Sequence, residues 1–488
     1  MSVLEVLTHR QLHEVLFPYL DVEAVLNCRC IAADCDEIVV EFAKGQLCDV
    51  LGQDVSAVDL ELIGEWDTSN STLNPRTIDA SFVKLVALCE DIGQLLVQST
   101  AGIRSLSVKL IKSGISESLI VFALHALCSA ALKANLMHLD VRKLSREVSG
   151  CLVRSVGAHA KELRSLNVSG ADSSFTDEQM ALVARNCPLL QELDVSLTFG
   201  AITDESMRLI ATSCPELRFL DVSSTAGKIT DETIELVAAN CRNLQCIRIV
   251  WAERMISDSS MKLLATNCHE LRSLDVSCTE GRVTDDFIST VAMQCPKLQL
   301  LNVNDTYVIT DESMSLVANN CRQLQSLNVS NTDGLITDES MKLIATNCPN
   351  LLSLNVCWTE GEITDESIAL VALHCPLLQL LDVSCCGSGI TDKSITLVAQ
   401  NCRHLRSLNV SGAEGAITDV SIRVVATNCT RLHTLNVGFA KGCITDESIK
   451  LVATHCRQLR HLAIAGSLGA ISEVSLSLCS ESCSVLEN

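Results

Sequence analysis

Residues 190–216 read LQELDVSLTFGAITDESMRLIATSCPE, and this stretch decides the fold. Leu190, Leu193 and Val195 give an L-x-x-L-x-L pattern. Its last part alternates with period 2, so a short strand is predicted with Leu193 and Val195 inward and Asp194 outward. From Met207, apolar residues follow at Ile210, Ala211 and Cys214, the i, i+3, i+4, i+7 spacing of one helix face. Thr203 stands at the N-cap position, where its hydroxyl accepts from an orphan backbone N–H. Asp204 and Glu205 put negative charge on the positive end of the helix dipole. Gly200, three residues before the cap, predicts a turn that needs φ > 0.

The stretch recurs along the chain. Cys187, Cys214, Cys241, Cys268, Cys295, Cys321, Cys348, Cys375, Cys402, Cys429, Cys456 and Cys483 fall 27 residues apart, with one interval of 26. A second column keeps the same beat from Thr176 through Thr203 and Thr230 to Thr445 and Ser472, each followed by Asp or Glu. A third runs from Leu139-Asp140-Val141 to Leu462-Ala463-Ile464. Glycines equivalent to Gly200 stand at Gly227, Gly281, Gly334, Gly361, Gly415, Gly442 and Gly469. The short unit has Tyr307 there and one residue fewer, so the deletion falls in a turn. A fixed period of this length predicts a solenoid. Upstream the beat decays: Ala160 and Lys133 hold the Cys position, and Ile103, Leu106 and Val108 predict one more, irregular strand.

A strand, a turn and a helix per unit is the leucine-rich-repeat architecture: an α/β horseshoe with a parallel concave sheet and convex helices. Over roughly residues 130 to 485 the chain resembles the cysteine-containing leucine-rich repeats, in which an Ile-Thr-Asp segment opens the helix and Cys closes it. The repeat solenoid is expected over residues 101–488, with a C-terminal cap from about 466.

Residues 1–50 differ. Leu12, Val15, Leu16 and Tyr19 follow helical spacing, and Asp21 begins what reads as a capped second helix. Leu7, Leu12, Leu16, Tyr19, Leu20, Asp21, Val25 and Leu26 resemble the F-box, a small all-α module, with Thr8 where that family has Pro. The resemblance implies docking on the Skp-type adaptor of a cullin-RING ubiquitin ligase through Leu7, Leu12, Leu16, Tyr19, Leu20, Val25 and Leu26. The alternative is a helical cap over the first coil. Residues 51–100 are expected to be a linker, polar and turn-prone at 66–75, and a helical N-terminal cap with a helical pattern over 78–97.

The chain has 488 residues, 37 Lys+Arg and 59 Asp+Glu, a net charge of −22 that argues against nucleic acid as the partner. Hydrophobic residues make up 48% and aromatic ones 3%, so the core must be built from aliphatic side chains and Cys. Glu5, His9, Arg10, His13 and Glu14 interrupt any apolar leader near the start, which predicts reduced thiols and a cytoplasmic location, with the nucleus also open. No stretch reaches the roughly 18 uncharged apolar residues of a membrane span. The longest apolar candidate, near 115–132, contains Glu117 and His125 and reads as a buried helix.

The Cys column is read as small buried side chains, because successive coils on the helix side lie beyond the roughly 7 Å reach of a disulfide. Cys28, Cys30 and Cys35, and Cys479 and Cys483, lack paired zinc spacing, so no metal or cofactor is expected. Ala226-Gly227-Lys228 ends like a phosphate loop but is a repeat turn. The sequons at Asn167, Asn328 and Asn409 are strand positions repeated by the period. No catalytic set emerges, and the chain is read as non-enzymatic.

What remains is the concave face, whose outward column reads Asp140, Asn167, Asp194, Asp221, Arg248, Asp275 and so on to Ala463. Short polar side chains bonding along the sheet account for most of it. The exceptions are Arg248 and, just past the strand, Trp251, Trp358 and Phe439. Arg and Trp carry binding energy at interfaces, so these four are expected to hold a protein target. Together with the F-box resemblance they imply a target-recognition subunit of an SCF-type ligase. The alternative is an interaction scaffold with no ubiquitin role.

Overall fold

The structure, a computed structural model, describes residues 57–65, 102–111, 136–142, 160–171, 175–472 apart from 253–254, 280, 334, 360–361, 414–415, 440–442 and 467–470, and 485–487. The adaptor-docking positions Leu7 to Leu26, the stretches 66–75, 78–97 and 115–132, and Cys483 lie outside the described residues. The chain divides into two units, Met1–Leu190 and Gln191–Asn488.

In the first unit four strands, β1 (Ala57–Glu65), β2 (Gly102–Ile111), β3 (His138–Asp140) and β4 (Ser165–Asn167), pair in parallel in chain order. The helix α1 (Asp177–Asn186) follows them. β2 contains Ile103, Leu106 and Val108, as predicted. β1 lies within the segment 51–100, which was expected to hold a linker and helical cap. Its Val58, Leu60 and Leu62 alternate with Asp59 and Glu61, a strand pattern that escapes notice because it stands outside the 27-residue beat.

In the second unit three-residue strands run from β5 (Glu192–Asp194) to β15 (His461–Ala463), and each pairs in parallel and in register with the next. Ten-residue helices from α2 (Asp204–Ser213) to α11 (Asp446–His455) alternate with them. β16 (Val485–Glu487) adds a further strand beside β15 within the segment expected as a cap. This is the leucine-rich-repeat solenoid, with strands forming one layer and helices the other. Leu193 and Val195 at the strand and Met207, Ile210, Ala211 and Cys214 on the helix side are all fully buried, and the coils through Cys429 repeat the set. The predicted turn glycines hold: φ is +86° at Gly200, +64° at Gly227 and +74° at Gly281. Gly334, Gly361, Gly415, Gly442 and Gly469 lie outside the described residues. In the short coil Tyr307 takes φ +58° and matches Phe199 and Ala226, which precede the glycine, so the missing residue is the glycine itself.

The Thr-Asp column does more than open helices. Thr203 accepts from the Glu205 N–H at 3.2 Å, the cap that the sequence predicts. The Asp after it reaches into the next coil. Asp204 Oδ1 accepts from the Thr230 N–H at 3.0 Å and from the Thr233 hydroxyl at 2.5 Å, and Oδ2 accepts from the Thr230 hydroxyl at 2.7 Å. Asp338 treats Thr364 in the same way, at 3.0 and 2.5 Å, and the pattern continues to Asp446 and the Ser472 N–H. In most coils, Thr230, Thr310, Thr337 and Thr364 among them, the cap hydroxyl therefore accepts from its own helix and donates to the coil before it, whereas Ser257 and Thr284 make no such bond to their own helices. Burial acts to raise the pKa values of Asp231, Asp365 and Asp419, but hydrogen bonds from the next coil outweigh it and hold all three below the ordinary 3.8.

At the other end of the helix, every column cysteine from Cys187 to Cys456 is fully buried, and every cysteine among the described residues is a free thiol. The thiols donate backward: Cys268 Sγ lies 3.6 Å from the Cys241 carbonyl and Cys375 Sγ 3.5 Å from that of Cys348. A helix end leaves orphan carbonyls, and a small, weakly polar S–H serves them inside an apolar core. Burial pushes the thiols up, to about 12 at Cys241, Cys295 and Cys375, so they keep their protons.

Two outcomes are expected. Thr364→Val removes a helix cap and the hydroxyl on Asp338, and should cost about 1–3 kcal/mol in urea unfolding, whereas Glu339→Gln, at the exposed start of the preceding coil's helix, should cost much less. For Asp231, Asp365 and Asp419 the folded pKa is depressed. Their stabilisation is complete above the unfolded value of 3.8 and is lost as pH falls through the lower folded values. Thermal midpoints should fall over that window, and Asp365→Asn should flatten the fall.

Candidate functional site

The outward Asp/Asn column is a row of strand caps. Asp194 Oδ1 accepts from the Ser196 N–H at 3.0 Å, Asn328 from Ser330 at 3.1 Å and Asn409 from Ser411 at 3.2 Å. Each short side chain closes a turn on the backbone two residues ahead. The sequon amides of Asn328 and Asn409 are thus engaged in the sheet, as is Asn167 with Ser169.

Arg248 cannot act as such a cap. In its coil the Val250 N–H turns instead to Ser223 Oγ of the preceding coil at 3.1 Å. The guanidinium lies between Asp221 and Asp275, 3.5 and 3.7 Å away, and remains half-exposed. Burial pushes the Asp221 carboxyl up, opposed by hydrogen bonds from Ser223 and by the Arg248 charge. Arg248 therefore neutralises two carboxylates of its own sheet while still reaching solvent.

Three residues past each strand the chain leaves the sheet through a left-handed residue. Leu197, Ser224, Trp251, Cys278, Asp305, Asn331, Trp358, Cys385 and Phe439 all have φ between +53° and +57°, and Gly412 and Gly466 take the same place at +70° and +71°. Their N–H groups continue the strand ladder: that of Cys278 donates to the Asn304 carbonyl at 2.9 Å and that of Trp358 to the Ser384 carbonyl at 3.2 Å. The left-handed region costs an L residue about 1–2 kcal/mol and glycine almost nothing. Folding alone therefore favours glycine here. Trp251, Trp358 and Phe439 nonetheless sit there 57%, 60% and 61% exposed, so they contribute little to the core. Phe439 lies against Gly466, where an added Cβ would stand 2.6 Å from the ring, so glycine in the next coil makes room for it.

The structure thus aligns three of the four expected target residues in one row of turns and puts Arg248 on the adjoining sheet face. It also adds residues that the sequence reading passed over. Phe199 is 65% exposed, and Leu197, Tyr307 and Leu335 are exposed in the same turns. Leu197 shares the three-residue offset of the aromatic exceptions, whereas Phe199 and Tyr307 lie five residues past their strands and Leu335 seven, positions the sequence reading did not compare. Among the described residues no three His, Cys, Asp or Glu side chains come together as a metal site, and no helix is long and apolar enough to cross a membrane.

No known family's sequence profile matches the chain, and no curated protein does. Its fold is similar to a chain in the crystal structure of the Rad7 and Elc1 complex in yeast. The TM-score is 0.50 at 16% sequence identity, over 82% of this chain and 92% of that one. At that identity the likeness is one of fold.

If the aromatic rings do not support the fold, Trp251→Gly and Trp358→Gly should leave unfolding free energy within about 1 kcal/mol of the parent, since relief of the left-handed strain offsets the lost ring contacts. Leu354→Ala, at the buried strand position of the same coil as Trp358, should cost about 2–5 kcal/mol.

Proposed function

We propose that the chain is a non-enzymatic, protein-binding repeat subunit that presents a target to an SCF-type ubiquitin ligase in the cytoplasm or nucleus. In this reading Leu7, Leu12, Leu16, Tyr19, Leu20, Val25 and Leu26 dock the Skp-type adaptor. Arg248, Trp251, Trp358 and Phe439 hold the target, and ubiquitin transfer belongs to other subunits.

The observation that carries the binding half is the row of exposed aromatics at positions where the backbone favours glycine, because strain retained at an exposed site calls for a functional reason. The chemistry of the remaining side chains agrees. The column thiols keep their protons, and the sheet-face and helix-cap carboxylates are taken up in closing turns and helices, which leaves a surface as the working part. The solved neighbour was itself crystallised with a second protein. The adaptor half rests on the F-box resemblance of residues 1–50.

Co-purification tests the two halves separately. The full chain should retain a Skp-type adaptor, and Leu16→Asp with Tyr19→Asp should lose it while circular dichroism stays unchanged. Trp251→Ser with Trp358→Ser and Phe439→Ser should keep the adaptor and lose the target. No adaptor on the parent chain would leave an interaction scaffold whose N-terminal residues act only as a cap.

A further inference from the structure

The row of turns is not uniform along its length. From Trp251 it passes two coils to Asp305 and two more to Trp358, so at the roughly 4.8 Å spacing of parallel strands each aromatic stands about 10 Å from the centre. That centre is acidic. Asp305 accepts from the Tyr307 hydroxyl at 3.4 Å, from Asn304 Nδ2 at 3.0 Å and from Asn331 Nδ2, and Cys278 Sγ lies 3.5 Å from it. Asp333, in the next turn, is exposed. Foremost the Asp305 charge, and also that of Asp333, raises the Tyr307 hydroxyl, so the negative potential is felt at the exposed ring. Burial and then Asp305 push the Cys278 thiol up to about 11.

The basic residues of this row of turns stand in other coils. Arg248 is shared between Asp221 and Asp275, the Lys228 stem packs against Gly200, and Arg282 acts on Asp231. The centre of the row therefore offers carboxylates beside a tyrosine ring, flanked by two exposed tryptophans, with no cation of its own among the described residues of the 305–309 and 331–336 turns. A guanidinium or ammonium gains on both counts, from the carboxylates and from the aromatic faces.

We propose that the row docks a basic segment of a partner protein, with an arginine or lysine seated at Asp305, Tyr307 and Asp333 and its neighbours against Trp251 and Trp358. This rests on the reading of the row as a protein-binding surface and specifies the chemistry of what it holds. An extended chain advances about 3.3 Å per residue, so a basic residue at every third position recurs at the spacing of these anchors.

The test uses the full chain, its tryptophan emission, and an Arg-Gly-Gly repeat peptide at about 0.15 M salt, where long-range attraction is screened. The peptide should bind, and its citrulline-Gly-Gly counterpart, of the same shape without charge, should not. Asp305→Asn with Asp333→Asn should weaken binding by about tenfold, as the loss of two exposed charge pairs implies. Glu312→Gln with Glu339→Gln, the same charge change on exposed helix residues, should leave it unchanged. Melting curves check that each variant is folded. Equal weakening by both pairs, or by neither, overturns the proposal. A protein target lost with Trp251→Ser and Trp358→Ser but kept by Asp305→Asn with Asp333→Asn removes the cation site and preserves the row. A target kept by both sets removes the row itself.

Discussion

One carboxylate in two coils is the constraint on which the solenoid depends. Each Asp after the cap residue sits at the positive end of its own helix and also takes the backbone N–H and hydroxyl that begin the next helix. A coil whose Asp were lost would leave its neighbour's cap unfilled. The same helix ends in a thiol that bonds back to the previous coil, and the strands add a third line of bonds across the sheet. Three ladders fix the coil spacing on all sides. The turn between strand and cap is tied more sparsely, through its left-handed residue and a carbonyl that accepts from the preceding helix, as that of Lys228 does from the Asp204 N–H at 3.2 Å. It is there that the sequence varies, from Phe199 to Tyr307 to the missing glycine of the short coil.

Most of the fold was legible because the period repeats each signal many times. Leu193, Val195, Met207, Ile210 and Cys214 announce a two-layer coil in any copy, and Thr203 announces a cap. What the column could not reveal is direction. Asp204 beside Thr203 reads as a dipole charge, and nothing in a linear motif says that its strongest partners lie 26 and 29 residues ahead. β1 was missed for the opposite reason, having no copies to point to it. At the site, the sequence singled out Trp251, Trp358 and Phe439 because they break a polar column. It could not tell that the column is left-handed, which is what turns an unusual residue into a strained one.

Arg248 illustrates how a conspicuous substitution divides its duties. The coil has two needs here, an acceptor for the backbone N–H that a strand cap would have taken and a counter-charge for two neighbouring carboxylates. The Ser223 hydroxyl meets the first need and the guanidinium itself the second. The side chain is thus fitted to its own sheet before it meets any ligand, whereas the aromatic turn residues answer to no internal requirement of that kind.

The backward-facing bonds also give the molecule a sense of time. Both the cap hydroxyl and the helix-end thiol of a coil look for partners in the coil that precedes it, Asp338 for Thr364 and the Cys348 carbonyl for Cys375. A ribosome releases coils in that same order. Each newly emerged coil therefore finds acceptors for its cap hydroxyl and its thiol already in place, so that these two ladders can lengthen link by link as synthesis proceeds.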